Sequence, residues 1–204
     1  MDYKSKLRPF SLVVAMSRNR GIGWKGGFPW PLIKKDLAHF TRVTKSTRLA
    51  MSAREIAAQN VFYQSGELFS ADSDPKLINP VIMGRKTWES VPLNMRPLPG
   101  RLNVILSTNS DYKPVFKEGQ KDTPAPLLFP NLESALLHLS DMANIGEIYV
   151  VGGQGVFQQC LTEYQDLCKF VIVTRINKYY EADVFMPEVP QDKFSTVFLS
   201  QTFN

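Results

Sequence analysis

Short, almost unbroken apolar runs constrain this chain most. Phe10, Leu12, Val13, Val14 and Ala15 fall within one of them, and Val81-Ile82-Met83, Ile148-Tyr149-Val150-Val151 and Phe170-Val171-Ile172-Val173 are others. A strand with one face in water alternates apolar and polar residues, whereas a run without alternation suits a strand covered on both faces. Strands are therefore expected at 9–16, 80–83, 102–106, 127–129, 148–151 and 170–176, the first of them central. Helical stretches lie between them: one from Pro31, placed in its first turn, to about Val43, then 85–91, 131–142 and 154–164. Strands alternating with helices predict an α/β fold with a mostly parallel sheet. Residues 18–30 read as a glycine-rich loop, and 44–79 as a surface insertion with one short helix at 53–62. No repeat or linker divides the sequence, so 1–204 is expected to be a single domain.

With 44% hydrophobic and 21% charged residues among 204, the chain has the apolar mass for a core, which excludes disordered, collagen-like and disulfide-scaffold classes. The longest apolar runs fall far short of the roughly 20 residues that cross a bilayer as a helix, so no membrane partner is expected. Met1 to Lys6 lacks the apolar segment of a secretory signal. Cys160 and Cys168 suit reduced, packed thiols, and His39 and His138 lie far from them in sequence, so a cytoplasmic address and no metal site are expected. The net charge of +5 favours anionic partners weakly, but no dense basic block or RNA-recognition signature points to nucleic acid.

Four local features carry chemistry. Gly21-Ile22-Gly23-Trp24-Lys25-Gly26 fits the dinucleotide pattern G-x-G-x-x-G, yet Gly27-Phe28-Pro29 is poor material for the helix that pattern must open. A glycine-rich loop remains, either a lid or a flexible connector. Gly84-Arg85-Lys86-Thr87 is not a P-loop, because Arg85 interrupts it; at a strand-to-helix turn it makes an anion site or a solvated basic turn. Val151-Gly152-Gly153-Gln154-Gly155-Val156-Phe157 breaks a strand at two glycines and restarts as a helix, where amides can hold a pyrophosphate; a tight turn explains one glycine and not three. Asp36 shares a helix face with Leu32, Ile33, Leu37 and Phe40, too far past Pro31 to be a cap. A carboxylate in an apolar stripe needs a partner, either a core arginine or a ligand with several N–H donors.

Together with Pro29-Trp30, Trp88-Glu89-Ser90-Val91-Pro92, Arg96-Pro97-Leu98-Pro99-Gly100-Arg101 and Val173-Thr174-Arg175, these pieces in this order resemble dihydrofolate reductase from about Pro9 to Pro187, apart from the insertion. The resemblance implies a three-layer fold with a mixed, mostly parallel sheet. It implies NADPH-dependent reduction of 7,8-dihydrofolate to tetrahydrofolate, by hydride transfer to pterin C6 and protonation at N5, in the service of one-carbon metabolism and thymidylate synthesis. Asp36 would accept hydrogen bonds from the pterin 2-amino group and N3, with Thr174 and a water held by Trp30 completing the network. Leu37, Phe40, Val91 and Leu98 would line the ring and benzoyl pocket, joined by Val13, Val14 and Val151, and Arg101 would grip the α-carboxylate of the glutamate tail. On the cofactor side the resemblance places Arg85 and Ser107 at the 2′-phosphate, Lys86, Thr87 and Gly153 with Gln154, Gly155, Val156 and Phe157 at the pyrophosphate, and Ala15 and Ile22 at the nicotinamide. Gly23, Gly26 and Gly152 belong to the same cofactor site, and antifolate inhibitors are implied as further ligands.

The sequence departs from the family at several points. Thr108 stands where many members have a second arginine for the 2′-phosphate, Leu37 replaces a frequent phenylalanine, Phe28 a frequent leucine or methionine, and Gly26-Gly27 should loosen the lid. Past Ser200 the family continues with a loop and a last hairpin strand, whereas this sequence ends at Asn204. The expectation is an incomplete C-terminal hairpin, as in a fragment or the front of a chain fused to thymidylate synthase, monomeric if standalone and dimeric if fused. Two other functions compete: a related reductase of riboflavin biosynthesis, disfavoured by Asp36, Trp30 and Arg101, and a binding protein without turnover.

Overall fold

Parallel pairing of the apolar runs organises the computed structural model, which describes residues 6–47, 74, 76–120 and 122–196. The strands β1 (Phe10–Ser17), β3 (Pro80–Gly84), β4 (Leu102–Leu106), β5 (Leu127–Phe129), β6 (Ile148–Gly152) and β7 (Cys168–Ile176) form one sheet in the order β5-β4-β3-β6-β1-β7. Every neighbouring pair in it is parallel. Helices α1 (Lys34–Lys45), α2 (Arg85–Ser90), α3 (Leu132–Ser140) and α4 (Gln154–Thr162) connect the strands. This is the mostly parallel α/β arrangement that the apolar runs predict. A small antiparallel ribbon of β2 (Gly21–Gly23) and β8 (Val184–Phe185) lies apart from the main sheet.

Alternation along each strand divides the core in two. Leu12, Ile82, Val104 and Val150 pack with Leu136 and Leu139 of α3 and with Phe157 and Leu161 of α4. Val81, Met83 and Ile105 face the other way, against Trp88 of α2 and Leu98, with Phe40 of α1 packed on them. Covering both faces is what strands without a polar side require. After β1 the chain works outward through β3, β4 and β5, then returns through β6 to reach β7 beyond β1. Connections that diverge in this way open a crevice at the C-terminal strand ends, where ligands bind in such sheets.

Three expectations are corrected. Pro31 does not open α1: Ile33 is the extended N-cap, with φ −101° and ψ 101°, and the helix begins at Lys34. Trp30, three residues before Ile33, is buried at 5% exposure in a bend that precedes the helix. The region read as one loop at 18–30 contains β2, whose partner β8 is far away in sequence and was not anticipated. The flanks of the expected insertion are interior: Thr44, Ser46, Thr47 and Asn79 are buried, and Ile78 bridges to Ile145. The short helix expected at 53–62 lies outside the described residues. Cys160 and Cys168 are buried free thiols, and burial pushes Cys168 up to about 12.

Asn79 explains why those flanks are interior. Its amide nitrogen donates to Thr44 O at 3.0 Å and Ser46 O at 2.7 Å, and its side-chain oxygen accepts from Glu147 N at 3.0 Å. One buried amide thus ties the end of α1, the start of β3 and the approach to β6. Asn79→Ala leaves buried backbone groups unsatisfied and should cost about 3 kcal/mol, read as a fall in the urea midpoint with an unchanged m-value.

Candidate active site

The crevice is built around Asp36. Opening the helix at Lys34 puts this residue in the first turn of α1, half-buried, where it accepts a hydrogen bond from the Thr174 hydroxyl. Thr174 lies on β7 opposite Ala15 of β1, next to the pair Val14 and Val173. Burial raises the Asp36 carboxyl above its ordinary 3.8, against the opposing effects of the Thr174 hydrogen bond and nearby His39. The apolar residues around it are only partly covered: Leu32 is 65% exposed, and Ile33, Leu37 and Phe40 are half-buried, Phe40 against the Trp88 side of the core. The stripe therefore lines an open cleft. Across the sheet end, Val13 and Val14 are buried, Val91 and Val151 are half-buried, and Leu98 is buried after the Arg96–Pro97 cis bond.

Arg101 closes one end of this wall. It is 3% exposed, donates from Nη1 to Thr44 Oγ1 at 2.9 Å and from Nε to Pro99 O at 3.1 Å, and its guanidinium lies 5.7 Å from the Phe40 ring centre. Burial pushes it down to about 10. The buried arginine that might have neutralised Asp36 thus makes its hydrogen bonds elsewhere, and it is itself a desolvated cation held by neutral acceptors. A buried charge in that state favours an anion.

Trp30 stacks on Phe28, with centroids 5.9 Å apart, and meets Tyr180 edge-on at 6.0 Å. The loop before it is fastened at several points. Lys25 N donates to Asp183 Oδ2 at 3.0 Å, Asp183 N donates to Gly23 O at 3.0 Å, and Trp24 and Gly27 exchange two backbone hydrogen bonds of 2.9 Å. A Cβ on Gly21 would fall 2.5 Å from Ala182 Cβ, so glycine is needed there for β2 to dock on the chain before β8. Ile22 and Gly23 are half-buried in this ribbon, whereas Gly26 is exposed with φ +79°.

The two glycine-bearing motifs meet at the ends of β3 and β6, where Met83 pairs with Gly152. Gly152 adopts φ +133°, and a Cβ there or on Gly153 would lie 3.3 Å or 3.1 Å from Thr87 Oγ1. Gln154 and Gly155, in the first turn of α4, are exposed, and nothing lies within 4 Å of a Cβ on Gly155. Val156 is half-buried, while Phe157 points into the core at 1% exposure with its amide bound to Gly153 O. Arg85 pairs with Glu89 at 3.1 Å and lies 5.6 Å from the Tyr112 ring centre; Lys86 is exposed, and Ser107 accepts from Asn109 N at 3.2 Å. Asp183, Tyr180, Glu89, Tyr112 and His39 stand in these contacts without any site role that the sequence pattern assigns to them. All but Glu89 and His39 are far in sequence from the motifs they serve.

A parallel sheet with a carboxylate helix, a cationic anchor and a glycine-broken strand at its C-terminal edge defines an α/β enzyme. Residues 76–203 match the dihydrofolate reductase family model. Dihydrofolate reductase of Drosophila melanogaster is 35% identical over 189 residues, covering 92% of this chain and 84% of that protein. The Rattus norvegicus enzyme is 32% identical over 191 residues, covering 92% and 83%. A bifunctional dihydrofolate reductase-thymidylate synthase of Daucus carota is 31% identical over 196 residues, 95% of this chain and 31% of that longer protein. The chain belongs to the dihydrofolate reductase family, a family of oxidoreductases that reduce dihydrofolate with a nicotinamide cofactor. The Lys25–Asp183 fastening makes a direct prediction: Asp183→Ala should speed tryptic cleavage after Lys25 about fivefold, the loss expected for one hydrogen bond of about 1 kcal/mol.

Proposed function

We propose that the chain reduces 7,8-dihydrofolate to 5,6,7,8-tetrahydrofolate with NADPH, and that Asp36 anchors the pterin. The half-buried Asp36 carboxylate, hydrogen-bonded to Thr174 at the open end of the sheet, carries this reading. A carboxylate so placed accepts two parallel N–H donors, which fits the pterin 2-amino group and N3. Two charge-assisted bonds fix ring orientation as well as affinity. Thr174 and Trp30 hold the carboxylate side of the ring, Leu37, Phe40, Val91 and Leu98 wall the cleft, and Arg101 takes the glutamate α-carboxylate. Proton delivery to N5 falls to water, with Asp36 polarising the ring.

The residues fit the cofactor. Gly152 and Gly153 leave room beside Thr87 that a Cβ would fill, and the exposed first turn of α4 offers amides for a pyrophosphate. Bound there, NADPH supplies the hydride for pterin C6. Arg85 meets the 2′-phosphate by exchanging Glu89 for it, and Lys86 and Ser107 add donors. Ala15, Ile22 and Gly23 adjoin the nicotinamide, and the loop through Gly26 and Phe28 shields it from bulk water.

NADPH oxidation on adding dihydrofolate tests the reading, and absence of turnover in the folded chain would sink it. Asp36→Asn should lower kcat/KM about a hundredfold, because it removes the charge from two hydrogen bonds while keeping shape. Arg101→Lys should raise KM for dihydrofolate about tenfold with little change in kcat, since a point charge replaces a bidentate fork.

A further inference from the structure

Asp36 has an ionisable neighbour on its own helix. His39 follows it by three residues on α1, the spacing at which side chains share a face, and both are half-buried. Arg42, three residues further, places Nη2 3.0 Å from His39 Nδ1. A guanidinium can only donate, so Nδ1 accepts and the imidazole here is neutral, with its proton on Nε2. Protonating His39 therefore means giving up the Arg42 hydrogen bond and placing a cation one helical turn from the carboxylate.

We propose that His39 is a positioning residue for Asp36, its imidazolium holding the carboxylate ionised and able to bind pterin as the medium turns acidic. The proposal rests on Asp36 as the pterin anchor. Asp36 draws a proton to His39; Arg42 repels it; Thr174, presented by β7, engages Asp36 without charge. Arg101, from the loop before β4, lies against Phe40, the residue after His39, and bonds to neutral oxygens. Burial and Arg42 lower the imidazole below its ordinary 6.5, while burial raises the carboxyl above 3.8, so the two titrations approach each other. In that window a proton taken by His39 opposes a proton on Asp36. The two sites titrate as a coupled pair.

Linkage makes the test reciprocal. The chain has two histidines, His39 and His138, so imidazole NMR signals are assignable, and His138 reports that the fold is intact. In the substrate-free protein, His39→Gln should raise the carboxyl titration midpoint of Asp36 by about half a unit, and Asp36→Asn should lower that of His39 by the same amount. His39→Lys, which carries a permanent charge, should bring the Asp36 midpoint below its wild-type value. In steady state, the ratio of His39→Gln to wild-type kcat/KM for dihydrofolate should fall as the pH is lowered from 7.5, towards a limit of about threefold that a half-unit shift sets. Midpoints that fail to move reciprocally in a protein with native His138 signals overturn the proposal, as does a variant whose activity is reduced equally at every pH. Wild-type protein without turnover would instead sink the reductase reading, because the paired NMR titrations need no catalysis.

Discussion

One hydrogen bond between distant parts of the chain gives the candidate site its geometry: the Thr174 hydroxyl donates to the Asp36 carboxylate. It joins the edge of the main sheet to the first turn of α1. Thr174 is in place because β7 pairs with β1 in unbroken register from Ser11 to Ser17. Asp36 is in place because Ile33 is extended and α1 begins at Lys34, which puts the carboxylate in the first turn. The late start also leaves Asp36 near the positive end of α1, where a carboxylate is favoured.

The cleft has opposite charges at its two ends. Asp36 stands at one and Arg101 at the other, with Leu37 and Phe40 of α1 between them and the Arg101 guanidinium over the Phe40 ring. Both charges lose hydration to burial, and the polar groups that meet them here, Thr174 for one and Thr44 with Pro99 O for the other, are neutral. A ligand with N–H donors at one end and an anion at the other satisfies both. Desolvation carried by the protein in advance strengthens such contacts and fixes ligand direction.

The other half of the crevice depends on the absence of side chains. Thr87 can approach Gly152 and Gly153 closely only because neither carries a Cβ, and β2 can dock beside Ala182 only because Gly21 does not. The loop between β2 and Trp30 is fastened through Asp183, and Gln154 Oε1 accepts from Phe185 N at 3.4 Å, so the first residue of α4 touches the same ribbon. The glycine-rich loop and the glycine turn therefore share a neighbour, β8.

Hydrophobic pattern located the six strands of the main sheet, and 102–106 and 127–129 coincide end to end with β4 and β5. The motif glycines, Asp36 and Arg101 were legible because a charge or a run of glycines in an apolar context is locally anomalous. Local sequence could not show that α1 begins at Lys34 behind an extended Ile33, nor that Thr44, Ser46, Thr47 and Asn79 are interior, since the Asn79 amide decides that. It also could not show the fastening of Lys25 by Asp183, 158 residues away, or the contact of Tyr180 with Trp30. The sequence by itself determined the α/β class and the order of the main-sheet strands and helices, and it singled out the residues proposed to carry chemistry, because periodicity and residue type are local properties. Tertiary structure alone decided where α1 begins, which charges lose their water and what holds the loop, because those outcomes depend on contacts between residues that only folding brings together.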